Sequence, residues 1–236
     1  DSISICVPTP FHDNTGIPSP NIDYIKAAAE SIASHIKDQD IVILESTSPV
    51  GTTDMIQQVL KQRGVNTSEI FIAYCPERVL PGKIMTELVG NARVIGGINS
   101  RSTEVVASFY KTFVNGEILE TEAKTAEMCK LTENSYRDVN IAFANELSLI
   151  CDKNGVDVWD LIKLANHHPR VNVLQPSTGV GGHCIAVDPW FIVSEDPENS
   201  KLIKTARVIN DGKPNWVVNK IKAIADLKKT RKIACL

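Results

Sequence analysis

The first half of the chain alternates short apolar runs with longer amphipathic stretches. The apolar runs have the length of strands, at residues 3–7, 41–45, 70–74, 93–97 and 117–120. Helical periodicity fills three of the intervals, at about 21–37, 52–63 and 100–114. This alternation predicts right-handed βαβ units on a mostly parallel sheet, and therefore an α/β fold.

The second half of the chain predicts helices only. Neither glycine nor proline occurs from Glu122 to Asn154, so a single helix on the order of 45 Å long is expected there. An irregular segment at 167–184 divides the remaining helices, which are predicted near 156–166, 186–194 and 200–227. Gly212 and Pro214 predict a kink or break in the last helix. The expected architecture is an α/β sheet followed by an all-helical domain with a long helix.

Composition and charge narrow the class of protein. The 236 residues are 43% apolar and 22% charged, which is ordinary for a globular protein. With 25 basic and 28 acidic side chains, the chain lacks the basic surface of a nucleic-acid-binding protein. No apolar run approaches the roughly 18 residues of a membrane-spanning helix. We therefore expect neither a nucleic acid nor a membrane as partner.

The cysteines predict free thiols, and one of them lies in an unusual setting. The chain has six cysteines without a C-x-x-C pair or zinc-ligand spacing, as in a cytosolic protein that holds no structural metal. Cys184 follows Gly181 and Gly182, where backbone can approach a ligand, and precedes a run that can start a helix. A thiolate is stabilised at a helix N-terminus, so Cys184 is a candidate nucleophile, with a buried structural thiol as the alternative.

Polar residues recur on one face of the long helix. Lys130, Asn134 and Arg137 are spaced four and three residues apart and could hold a ligand with several oxygens. The alternative is a solvated face on which Lys130 pairs with Glu127 or Glu133. Further along, Asn145 and Glu146 lie among apolar residues, which predicts that this helix buries polar groups.

Two loops follow predicted strands, where α/β sheets bind ligands. The hydroxyls of residues 46–53 could contact a substrate or cap the next helix. Glu77 and Arg78 lie at the rim of the same sheet or face solvent. In the irregular segment, His168 and Arg170 would suit an anionic ligand, unless they belong to an exposed polar loop.

Four motifs, taken together and in this order, resemble the nucleotide-sugar 6-dehydrogenases: residues 46–51, 75–78, 127–138 and 181–188. The segments 73–82 and 166–172 are most similar to the branch of this family that acts on UDP-N-acetyl-D-mannosamine. The resemblance implies NAD-dependent oxidation of a sugar C6 alcohol to a carboxylate, with two NAD consumed. UDP-glucose and UDP-N-acetylglucosamine are the alternative sugars.

The resemblance also implies roles for individual residues. Cys184 matches a nucleophile that forms a thiohemiacetal and then a thioester, and Lys130 matches an acid/base that stabilises the oxyanion. Asp188 and Thr47 match residues that order water and hydroxyls near C6, and Glu77 matches the acid that assists hydrolysis. The matched substrate contacts are Arg78, Val79, Asn134, Arg137 and Gly181, with His168 and Arg170 reaching from the partner subunit of a homodimer built on the long helix; Thr9 and Thr47 match positions near NAD.

The family pattern divides the chain into three parts. It implies the C-terminal part of an NAD-binding Rossmann-like domain at 1–120, a helical central and dimerisation domain at 121–228, and the first strand of a UDP-binding domain at 229–236. The dinucleotide fingerprint G-x-G-x-x-G is absent, so we expect a piece of a longer protein. Alone, such a piece could be a non-catalytic dimerisation and sugar-nucleotide-binding module. A two-electron hydroxyacid dehydrogenase is a third possibility, although a single hydride transfer needs no thiol.

Overall fold

The computed structural model describes residues 1–12, 16–80, 82–230 and 232–234. The chain divides into two compact units. Unit 1 comprises residues 1–133 and 190–195, and unit 2 comprises residues 134–189 and 196–236. In the part of the chain that is described, no helix is both long and apolar enough to cross a membrane.

Unit 1 is built on a five-stranded sheet in the order β1-β2-β3-β4-β5. The strands are β1 Ser2–Ile5, β2 Ile41–Leu44, β3 Phe71–Tyr74, β4 Arg93–Gly97 and β5 Ile118–Glu122. The helices between them are α1 Asp23–Ile32, α2 Thr52–Gln62, α3 Ile84–Gly90 and α4 Ser100–Tyr110. All five predicted strands are present, and the predicted α/β fold is confirmed.

The core of unit 1 lies on both faces of the sheet. Val42, Leu44 and Ile72 pack on one face with residues of α1 and α2, whereas Ile43 and Ala73 pack on the other with residues of α4. Neighbouring residues of one strand thus point to opposite faces and are buried on both. Strands that are buried on both faces consist of continuous apolar runs, and these runs made the strands predictable from the sequence.

The sheet is mixed rather than wholly parallel. The pairs β1–β2, β2–β3 and β4–β5 are parallel, but β3 and β4 are antiparallel, with Ala73 opposite Gly97 and Tyr74 opposite Gly96. The C-terminal residues of the two strands pair with each other. The connection at 75–92 therefore starts and ends beyond the C-terminal end of β3. It therefore needs no crossover, in contrast to a parallel connection.

Helix α5 spans Ala123–Asn154 and confirms the long helix predicted at 122–154. The helices that follow are α6 Val158–Ala165, α7 Asp188–Glu195 and α8 Lys201–Leu227. Helix α8 continues through Pro214, so the predicted break does not occur, and the alternative of a kink remains a prediction. A proline removes one backbone hydrogen bond from a helix, and the buried side chains of Arg207, Asn210 and Lys213 hold the turns that precede it.

The predicted strand at the end of the chain remains a prediction. Residues 232–234 form neither helix nor strand, and Arg231, Cys235 and Leu236 lie outside the described residues.

In unit 1, a buried carboxylate on α5 caps helix α2. Glu127 accepts hydrogen bonds from the backbone N–H of Gly51 (2.6 Å) and of Thr53 (2.7 Å), and from the Thr53 hydroxyl (2.6 Å). The first N–H groups of a helix have no partner within the helix, and this carboxylate supplies one. Burial raises the pKa of Glu127, and the three donors oppose that shift.

We expect Glu127→Gln to lower the free energy of unfolding by about 1–3 kcal/mol, because the new amide turns a donor toward backbone N–H groups. Urea titration followed by circular dichroism measures the change. Glu146→Gln, an exposed substitution on the same helix, is the matched control and should unfold like the wild type. Equal stability of all three proteins would show that the cap contributes nothing.

Candidate active site

The two predicted cofactor residues of unit 1 lie together. Thr9 follows β1 and Thr47 follows β2, and the Thr9 hydroxyl donates to the carbonyl of Thr47 over 2.8 Å. Beside them, the backbone N–H of Val7 donates to the Ser46 hydroxyl over 2.8 Å. The carboxyl edge of parallel strands is where α/β sheets hold nucleotides, so the position fits a dinucleotide.

The loop after β3 gathers four more predicted residues of unit 1. Glu77 accepts hydrogen bonds at Oε1 from the backbone N–H of Arg78 (2.6 Å) and of Val79 (2.8 Å). Its Oε2 lies 3.2 Å from the guanidinium of Arg93, a side chain that is only 1% exposed. The Lys130 ammonium donates to the Glu77 carbonyl over 2.9 Å. Glu77 is therefore held at Oε1 by the loop, at Oε2 by Arg93 of β4, and at its carbonyl by Lys130 of α5.

Among the described residues, Lys130 pairs with neither Glu127 nor Glu133, the two partners expected on a solvated face. Glu133 pairs with Arg78 (2.6 Å), and Glu127 caps α2. The lysine thus turns toward the loop after β3.

Two thiols of unit 1 lie in settings that do not suit a nucleophile. Burial raises the pKa of Cys75 to about 11. Burial also raises the pKa of Cys6, whose thiol donates to Glu45 over 3.2 Å. Glu45 in addition accepts from the Tyr110 hydroxyl over 2.6 Å. These surroundings therefore disfavour the thiolate form of both cysteines.

In unit 2, Cys184 is exposed and lies in a turn that leads into α7. Its carbonyl accepts hydrogen bonds from the backbone N–H of Val187 (3.0 Å) and of Asp188 (2.8 Å), the first residue of α7. Gly182 has a φ of +86°, a conformation that glycine adopts without strain. The alternative of a buried structural thiol does not fit this exposed position.

Asn134 and Asp188 meet beside this turn. The Asn134 amide nitrogen donates to Asp188 Oδ2 over 2.5 Å, and Asp188 is only 3% exposed. A buried carboxylate needs such donors. Two predicted site residues that are far apart in the sequence are thus in contact.

The other predicted residues of unit 2 are exposed: Arg137, His168, Arg170 and Gly181. The backbone N–H of Arg170 donates to Nδ1 of His168 over 3.3 Å, which brings these two together. Apart from Gly181 and its two chain neighbours, no heavy atom of the described residues lies within 4 Å of the place where a Cβ on Gly181 would be, so the backbone is open there. Within the described part of unit 2, none of the four is hydrogen-bonded to Cys184.

Sequence reasoning missed a buried polar network in unit 2. The Arg207 guanidinium lies 2.6 Å from Asp138, and the Asn210 amide donates to the same Asp138 oxygen over 2.7 Å. Asn145 donates to Asn210 (2.8 Å) and accepts from the backbone N–H of Ser177 (2.8 Å). Burial raises the pKa of Asp138, and Arg207 opposes that shift.

A signal for this network was present in the sequence. Asn134, Asp138 and Asn145 are spaced four and seven residues apart, as are residues on one helix face. Asn145 is buried as predicted, whereas Glu146 is exposed, because it lies on a different face of α5. Among the described residues, no cluster of His, Cys, Asp or Glu could hold a metal ion.

Comparison with known families gives the class of protein. Residues 1–114 match the NAD binding domain of the UDP-glucose/GDP-mannose dehydrogenase family, and residues 124–212 match the central domain of the same family. The first match lies in the main segment of unit 1, and most of the second lies in unit 2. Together the two matches cover most of the chain. The chain belongs to the UDP-glucose/GDP-mannose dehydrogenase family, and the prediction of NAD as the family's cofactor is confirmed.

Individual relatives place the chain near enzymes of N-acetylated sugars. It is 57% identical to the UDP-N-acetyl-D-mannosamine dehydrogenase of Yersinia pestis, over 96% of this chain and 56% of the relative. It is 54% identical to the NDP-N-acetyl-D-galactosaminuronic acid dehydrogenase of Ralstonia nicotianae, over 100% of this chain and 57% of the relative. The solved UDP-D-ManNAc dehydrogenase of Pyrococcus horikoshii has a TM-score of 0.90 at 39% identity, over 98% of this chain and 55% of that one. The chain thus spans little more than half the length of the relatives it matches.

We expect Cys184 and Cys75 to differ in their reactivity toward an alkylating reagent. Since the thiolate is the species that reacts, iodoacetamide at pH 8 should label Cys184 and leave Cys75, whose pKa is about 11, unlabelled. Peptide mass spectrometry measures the extent of labelling at each site. In urea both should react, and rapid labelling of Cys75 in the folded protein would contradict its buried setting.

Proposed function

We propose that the chain is the catalytic portion of an NAD-dependent UDP-N-acetyl-D-mannosamine 6-dehydrogenase. The proposed reaction removes four electrons from the sugar C6 alcohol and yields UDP-N-acetyl-D-mannosaminuronate. The observation that carries the proposal is the exposed Cys184 in a fixed glycine-rich turn, beside the buried Asn134–Asp188 contact. A reaction that ends at an aldehyde or ketone needs no such thiol.

In the proposed mechanism Cys184 retains the intermediate. Oxidation of the alcohol gives the C6 aldehyde, and the Cys184 thiolate adds to its carbonyl carbon to form a thiohemiacetal. The C–H bond of that adduct is then broken by a second hydride loss, which leaves a thioester. Water attacks the thioester, the C–S bond breaks, and the carboxylate and the free thiolate are released. The covalent adduct prevents escape of the aldehyde.

The other residues stabilise charge and order water in this proposal. Lys130 carries a cation that stabilises the oxyanion of the adduct and exchanges a proton with it. Asp188, held by Asn134, and Thr47 order the water and hydroxyls near C6, and Glu77 assists hydrolysis. The proposed substrate contacts are Arg78, Val79, Asn134, Arg137 and Gly181.

The cofactor position is proposed at the loops after β1 and β2. Thr9 and Thr47, joined by the hydrogen bond between them, would line the place where the dinucleotide lies. NAD, when bound, supplies a hydride acceptor for each of the two oxidations. Free thiols such as Cys75 and Cys151 support a reducing compartment, the cytoplasm, as the site of action.

We expect UDP-N-acetyl-D-mannosamine to yield two NADH per sugar oxidised by the full-length protein. Absorbance at 340 nm with a limiting amount of sugar gives the stoichiometry. UDP-N-acetylgalactosamine, UDP-N-acetylglucosamine and UDP-glucose form the comparison panel, because one relative is named for an N-acetylgalactosaminuronic acid. Turnover of UDP-glucose alone would overturn the sugar assignment, and one NADH per sugar would favour a two-electron dehydrogenase.

Cys184→Ala provides the matched test of the nucleophile. Acid formation should fall by at least about 1,000-fold, since the covalent step is lost. Aldehyde trapped with hydroxylamine should appear in its place. Cys151→Ala removes a buried thiol from the same unit and should retain acid formation. An acid-forming Cys184→Ala protein would exclude the thioester route, and an inert wild type would favour a non-catalytic sugar-nucleotide-binding module.

We also propose that the protein forms a homodimer through α5. Three large apolar side chains, Tyr136, Phe143 and Ile150, are 69%, 58% and 51% exposed and recur every seven residues, so they form one stripe along the helix. Such a row of exposed apolar side chains favours burial against a second copy. In this proposal His168 and Arg170, which are exposed in unit 2, reach the substrate of the partner subunit.

We expect Phe143→Glu to raise the dimer dissociation constant at least about 30-fold, because a charge would replace a central apolar side chain of the stripe. Light scattering after size-exclusion chromatography measures the mass. Glu104→Gln, an exposed substitution on α4 and therefore away from the stripe, should leave the dimer intact. A monomeric wild type would refute the proposed interface.

A further inference from the structure

We infer that Arg207 is a positioning residue that holds the Cys184 turn through the carbonyl of Ile185. Arg207 lies on α8 and is fully buried. Its Nη1 donates to Asp138 over 2.6 Å and approaches the Ile185 carbonyl at 3.4 Å. Its Nη2 contacts the carboxylate of Asp211. The guanidinium therefore joins α5, α8 and the residue next to Cys184.

The charge of Arg207 is fixed in place by its surroundings. Asp138 is buried as completely as Arg207, and removal of Arg207 would leave the Asp138 carboxylate without a compensating charge. Asn210 donates to both the carboxylate and the carbonyl of Asp138, which fixes the acceptor on α5. The planar fork of an arginine can then direct the same nitrogen toward a second acceptor.

The turn is held at a second point by α5. Asn134 holds the Asp188 side chain, and the Asp188 backbone N–H donates to the Cys184 carbonyl. Ile185 and Asp188, which both follow Cys184 in the turn, are thus tied to buried groups, while the Cys184 side chain is exposed. The position of the thiol is therefore set by its backbone, and a misplacement of about 1 Å can cost on the order of 100-fold in rate.

This inference rests on the proposed function, so its test includes readouts that do not need turnover. Arg207→Met alone leaves Asp138 buried and unpaired, and this variant could fail to fold. Asp138→Asn/Arg207→Met removes both charges, retains an acceptor for Asn210 and eliminates the contact with Ile185. Arg63→Met, which removes an exposed ion pair with Glu30 in unit 1, is the control.

Three measurements on the double variant test the inference. Hydrogen exchange at the amides of Val187 and Asp188 should be at least about tenfold faster than in the wild type, because the turn opens more often. Alkylation of Cys184 should change in rate, with Cys6 as the internal reference in unit 1. In the full-length protein, kcat should fall about tenfold while KM for the sugar nucleotide stays constant.

The outcomes separate the inference from the proposed function. A folded double variant with wild-type exchange at Val187 and Asp188 would overturn the inference, as would faster exchange without any change in alkylation or kcat. If the wild type oxidises no sugar, the proposed function fails. In that case faster exchange together with altered alkylation of Cys184 still supports Arg207 as the residue that positions the turn.

Discussion

Burial of polar side chains along α5 is the constraint on which the arrangement of the loops depends. Glu127, Asn134, Asp138 and Asn145 are all buried, and an unpaired polar group in such a position costs several kcal/mol. In unit 1 this demand is met by the N-terminus of α2. In unit 2 it is met by the first residue of α7, by α8 and by the irregular segment at Ser177. The segments that carry candidate chemistry therefore lie where buried donors and acceptors require them.

The same constraint explains why cysteines of one chain differ in chemical character. Cys75 lies within a buried core, where the charged form is penalised and its pKa rises to about 11. Cys184 lies in a turn whose backbone is fixed by buried partners while its side chain is exposed. The backbone of Cys184 thus provides rigid support, and its exposed side chain provides access to a ligand. This combination is what covalent catalysis requires of a nucleophile.

The sequence was sufficient for most of the fold and for part of the site. Doubly buried strands and the uninterrupted α5 produce strong patterns, whereas α3 contributes no buried residue and left no periodic signal. The direction of β4 could not be predicted, since an apolar run reads alike in both directions. The glycine-rich setting singled out Cys184, but the partners of Asn134 and Asp138 lie more than 50 residues away along the chain. Only the helical spacing of these polar residues indicated that they would need partners.

The ion pair between Asp138 and Arg207 contributes more to the orientation of neighbouring groups than to the stability of the fold. Apolar side chains of similar volume would fill the same space, often with no loss of stability. They would not, however, orient a peptide carbonyl, because apolar packing is non-directional whereas a hydrogen bond fixes distance and angle. At Ile185 the carbonyl faces such a donor, one residue from the exposed thiol. A buried charge pair at this place is therefore better explained by the need to direct the Cys184 turn than by the stability of the helices it joins.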